Sequence, residues 1–82
     1  MIDYEKRLLE FFNECGLEKV FVRCYGIGGH FYNVEIRTSS PITVEFIQKL
    51  FDRKFFNIRI TDCLKTKMMV NMEIYKDNLE KI

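Results

Sequence analysis

"EKVFVRCYGIGGHFYNVEIR", residues 18–37, decides what kind of fold this chain can form. Val20, Val22 and Cys24 alternate with Phe21, Arg23 and Tyr25. After the glycines, Tyr32, Val34 and Ile36 alternate with Phe31, Asn33, Glu35 and Arg37. A period of two places one set of side chains on each face of a strand. Two such runs joined by a short glycine-rich segment predict an antiparallel hairpin. The "GIGG" inside it is not a phosphate cradle. A strand follows it rather than a helix, so no helix N-terminus backs the loop, and no Lys-Ser/Thr pair comes after it. Its glycines serve a turn that needs positive φ.

The same pattern recurs. Strand 3, "KFFNIRIT", sets Phe56, Ile58 and Ile60 on the buried face and Phe55, Asn57, Arg59 and Thr61 outward. Strand 4, "KMMVNMEIY", buries Val70, Met72 and Ile74 and presents Met69, Asn71, Glu73 and Tyr75. "DCLKT" joins the two strands. A helix precedes each hairpin. Asp3 caps helix 1, expected over 3–15, whose apolar stripe runs through Tyr4, Leu8, Phe11 or Phe12 and Cys15. Gly16 ends it in the left-handed conformation, with Leu17 touching back on Phe12 in a Schellman ending. Helix 2 is expected over 41–52, capped by Ser40 with Pro41 at its first position. The tail, 76–82, is polar and is expected to fray or to add a short helical turn.

The expected fold is α+β: an αββαββ two-layer sandwich with two helices on one face of a four-stranded antiparallel sheet. This is a permuted ferredoxin-like arrangement in one domain, 1–82. The halves, about 3–37 and 41–75, share Arg23 with Arg59, Asn33 with Asn71 and Glu35 with Glu73. Convergence of amphipathic hairpins and internal αββ duplication both account for that.

Composition narrows function. In 82 residues, 13 basic and 12 acidic side chains leave a net charge of +1. That balance speaks against binding nucleic acid by bulk charge and against acidic mimicry of it. With 48% hydrophobic residues the chain can bury a core. No apolar run approaches the ~20 residues of a membrane span. Three cysteines without framework spacing, and a charged amphipathic start in place of a signal peptide, point to the reduced cytoplasm.

Catalytic readings are thin. Cys24, His30 and Cys63 could meet if the hairpin loops share one end of the sheet, but paired Cys-x-x-Cys spacing is missing. Cys24 and His30 as nucleophile and base lack a helix N-terminus to lower the thiol pKa. No catalytic residue, cofactor, metal or small-molecule substrate is assigned. The helix–strand–strand repeat is also the topology of LAGLIDADG homing endonucleases, and "LLEFFNECG", residues 8–16, resembles their signature. It departs where their chemistry sits. Cys15 stands at the metal-binding acid, Asn13 at the acid two before it, and Glu10 at the small residue that lets two such helices pack. Metal-dependent cleavage is therefore not carried over.

The outward sheet face is the expected interaction surface, through Phe21, Arg23, Tyr25, Phe31, Arg37, Phe55, Arg59, Met69 and Tyr75. Aromatic, Met and Arg enrichment marks interfaces. A non-catalytic module binding a protein partner or itself is expected, in an inhibitor, immunity, anti-defence or adaptor role such as a phage protein would play. The alternative is a single-stranded nucleic-acid platform that stacks bases on the same face. A metal- or thiol-dependent enzyme is the remote third reading. Cross-strand pairing that merely stabilises the sheet is the plain structural one.

Overall fold

A computed structural model describes residues 3–64 and 67–82, the last two of the first span as backbone only. The chain is α+β, a four-stranded antiparallel sheet with three helices. The order is α1 (Tyr4–Glu14), β1 (Phe21–Ile27), β2 (Phe31–Thr38), α2 (Val44–Asp52), β3 (Phe56–Leu64), β4 (Lys67–Tyr75) and α3 (Lys76–Leu79). Among the described residues no helix is long and apolar enough to cross a membrane.

Both ends of α1 follow local chemistry. The Asp3 carboxylate accepts from the Lys6 N–H at 3.0 Å. At the other end Gly16 sits at φ +92°. The Leu17 N–H reaches the Phe12 carbonyl and the Gly16 N–H the Asn13 carbonyl. Those two bonds are the Schellman pair, and Leu17 is buried.

The start of α2 differs from expectation. Thr43 is the cap, its hydroxyl accepting from the Phe46 N–H at 3.2 Å. Ser40 is engaged elsewhere, accepting from the Glu18 N–H at 2.8 Å. Buried Thr38 donates to the Glu18 carbonyl at 2.6 Å. "TSSP" therefore ties the α1–β1 connection to the end of β2, and the helix begins three residues later than the sequence suggests.

The sheet order is β1-β2-β4-β3, so β2 and β4 are central. Ile27 pairs with Phe31, leaving Gly28, Gly29 and His30 as the turn. Gly28 and Gly29 take positive φ there. Gly26 lies within β1, where an added Cβ would lie 3.6 Å from the Tyr32 ring. In the central pair Val34 faces Met72, Asn33 faces Glu73, and Glu35 faces Asn71. The two Asn-x-Glu triplets thus meet antiparallel about the Val34–Met72 pair. Arg23 and Arg59 do not share that relation. Arg23 faces Glu35 and Arg59 faces Asn71, so both stand in one row, and the place equivalent to Arg23 is held by Phe56.

One core joins Leu8 and Phe12 of α1, Phe46 and Leu50 of α2, and Val34, Ile36, Val70, Met72 and Ile74 of the sheet. The helices α1 and α2 therefore cover the same face, and no element among the described residues lies on the other. The tail is docked rather than frayed. Leu79 is buried, Arg7 donates to the carbonyls of Glu80 and Ile82, and the Lys76 N–H bonds the His30 carbonyl at 2.9 Å.

Phe55 requires a correction. It was expected on the outward face and is instead core, 2% exposed and packed on Phe12. Phe56 takes the outward place. Phe56 pairs with Glu73 and Arg59 with Asn71, so β3 spends three residues where β4 spends two. This is a β-bulge, with Asn57 at φ +52°. It reverses the phase of the strand, so Phe56 before it and Arg59 after it share a face. Asp62, Cys63 and Leu64 also belong to β3 rather than to a connector, and the rest of the predicted loop, residues 65 and 66, lies outside the described residues.

Candidate binding face of the sheet

Cross-strand pairing lays the uncovered face out in rows. The first is Phe21, Arg37, Met69 and Thr61, read from β1 to β3. The second is Arg23, Glu35, Asn71 and Arg59. The third is Tyr25, Asn33 and Glu73, with Asn57 donating from β3 to the Glu73 carboxylate. The fourth is Ile27, Phe31 and Tyr75. Six residue steps along β1, from Phe21 to Ile27, separate the first row from the last, about 20 Å at the rise of an extended strand.

The ends of the face differ in chemistry. At the last row Phe31, Phe56 and Tyr75 form a three-ring cluster. The Phe56 and Tyr75 rings stack at 5.1 Å, and Phe31 meets them at 6.4 and 6.0 Å. At the first row the Lys67 ammonium lies 5.8 Å from the Phe21 ring centroid. A hollow there is lined by Phe21, Val22, Arg23, Glu35, Arg37 and Lys67. Between the ends lies a polar band of Asn33, Asn57, Asn71, Arg59 and Glu73, flanked by Tyr25.

This face holds groups that the fold leaves unused. Phe21 is 65% exposed, Tyr25 55% and Tyr75 53%. If pairing within the sheet were their whole purpose, more of those rings would be out of water. The five arginines divide cleanly. Arg7 and Arg53 bond carbonyls of the tail, and Arg53 also lies over the Phe11 ring. Among the described residues no hydrogen bond or ion pair holds Arg23, Arg37 or Arg59. Asn33 Oδ1 is buried and accepts no hydrogen bond from any described residue. A buried acceptor left empty costs about 1–3 kcal/mol, which an incoming donor would recover.

Of the expected surface residues, Phe21, Arg23, Tyr25, Phe31, Arg37, Arg59, Met69 and Tyr75 come together on this face, and Phe55 does not. Sequence reading missed Phe56 and Lys67. Asn57 was the available signal for Phe56, because Asn tolerates positive φ and so marks a break in alternation. Lys67 opened the expected strand 4 but was not counted among its outward residues, which were read from Met69 onward.

Among the described residues the cysteines and histidine do not form a centre. Cys24 turns toward the helix side, and its N–H at the edge of β1 donates to the Glu5 carboxylate at 2.9 Å. Burial first, and then the Glu5 charge, push the Cys24 thiol up to about 11. Burial likewise raises Cys15 at the C-cap of α1. His30 is exposed in the turn, and the Cys63 side chain lies outside the described residues. Among the described residues no three His, Cys, Asp or Glu side chains converge to hold a metal.

No family model, curated protein or solved structure matches the chain. The functional reading therefore rests on the chemistry of the face alone.

Proposed function

We propose that this chain is a small non-catalytic binding module that takes a protein partner on the uncovered face of its sheet. The observation that carries the reading is the three arginines that no described residue holds by a hydrogen bond or ion pair, set between exposed rings on a face that no described helix covers. Arginine and aromatic side chains dominate interface energetics when a partner removes them from water. An inhibitor, immunity or adaptor role in the cytoplasm suits so small a module, and its free thiols, Cys15 and Cys24, suit a reducing compartment. The αββ–αββ order supports a permuted ferredoxin-like ancestry, and the facing Asn-x-Glu triplets support duplication of one half.

Single-stranded nucleic acid is the second reading, favoured by the three cations around the Phe21 ring. One experiment separates the two. Tagged wild-type chain and a Tyr25→Ser/Tyr75→Ser variant are used for native capture, each with and without nuclease. Circular dichroism melting verifies that the variant is folded. The protein reading expects a stoichiometric partner that survives nuclease and is lost in the variant. Recovery that collapses with nuclease supports the nucleic-acid reading, and a partner retained by the folded variant removes the sheet face from the account.

A further inference from the structure

Resting on that reading, we infer that the partner binds as an extended segment of about six residues, acidic at the end that meets Phe21 and apolar at the end that meets Phe31, Phe56 and Tyr75. Its length follows from the ~20 Å between the terminal rows and the ~3.3 Å rise of an extended chain.

The charge layout sets the polarity. Among the described residues this face carries Arg23, Arg37, Arg59 and Lys67 against Glu35 and Glu73, a balance of +2 in a chain whose total is +1. Three of those four cations line the hollow beside Phe21, with Glu35 the only acid among its lining residues. A carboxylate entering there meets guanidinium groups that no described residue holds by a hydrogen bond or ion pair.

The middle of the face is mixed in sign, with Glu35, Glu73 and Asn33 Oδ1 as acceptors beside the Arg59 guanidinium and the Asn33, Asn57 and Asn71 amides as donors, Asn57 donating to Glu73. A peptide brings backbone N–H groups across that band. A phosphodiester chain would instead carry one negative charge per nucleotide past two carboxylates. At the far end the stacked rings offer apolar area, and the paired residues of that row, Ile27, Phe31 and Tyr75, carry no charge. The occupant is therefore anionic at one end only, which fits a protein segment and not a polyanion.

The test is a titration of the ¹⁵N-labelled chain, read by amide chemical shifts. The probe is the synthetic peptide EEEGSFF, with KKKGSFF and an eight-nucleotide oligothymidylate as comparisons. The expected result is that EEEGSFF shifts both Phe21–Arg23 and Phe31, and that KKKGSFF binds roughly tenfold or more weakly. In an Arg37→Glu/Lys67→Glu variant, whose unperturbed spectrum away from the substitutions verifies folding, the preference should invert. Equal binding of the two peptides, no binding of either, or tighter binding of the oligothymidylate on the same residues would overturn the inference. A partner lost by Tyr25→Ser/Tyr75→Ser but indifferent to Arg37→Glu/Lys67→Glu would overturn this polarity while leaving the sheet-face module standing.

Discussion

Replacing Phe55 by alanine and replacing Phe56 by alanine are expected to have unequal consequences. Phe55 lies in the core against Phe12, so its removal leaves a cavity and should cost about 3–5 kcal/mol. Phe56 loses mainly ring contacts at the surface, about 1 kcal/mol. Urea unfolding of the two variants checks this, and equal losses would place both rings in the core. The pair also shows where sequence reading fails. Alternation identifies faces only while the strand stays in register, and the extra residue near Asn57 exchanges which of two adjacent phenylalanines is outside. Cys24 yields a pH dependence. Its folded thiol is raised to about 11, first by burial and then by Glu5, against about 8.5 in an unfolded chain. Below ~8.5 both states keep the proton, and above it the unfolded state loses its proton first. Stability should therefore fall as pH rises from ~8.5 toward 11. Denaturation across that range should show a smaller fall in Cys24→Ala, and an identical fall would remove the thiol as its cause.

At the scale of elements, the helix ends give the sharpest contrast. Gly16→Ala places a Cβ at φ +92° and should cost about 1 kcal/mol, with nothing nearby to clash and backbone conformation as the whole cause. Thr43→Ala removes the cap of α2 and should cost a similar ~1 kcal/mol. Thermal unfolding measures both, and a neutral Thr43→Ala would return the start of α2 to Ser40 and Pro41. The C-terminus of α1 was legible because glycine and the following leucine act locally. The start of α2 was not, because Ser40 had a distant competitor. Its hydroxyl serves Glu18, 22 residues earlier in sequence, and no local pattern announces that bond. The hairpins were legible from their period of two, whereas the central place of β2 and β4 depends on pairing between halves that sequence spacing does not encode.

For the whole molecule, the decisive feature is asymmetry between two faces. One carries both helices and the core, and the docked tail closes it through Leu79 and Arg7. The polar look of the tail concealed this, since Leu79 is a single apolar residue in a charged run. The other face carries most of the surface residues expected from sequence, and its use for binding is the central proposal. A competing surface exists on α2, where Val44 and Phe51 are both exposed on one stripe. The most direct test is a residue-resolved footprint of the chain bound to its nuclease-resistant partner, by amide hydrogen exchange together with phenylglyoxal labelling of arginines. The account predicts protection within β2 and β4 and of Arg23, Arg37 and Arg59, with Arg7 and α2 unchanged. Protection confined to α2, with the three arginines still reactive, would contradict it.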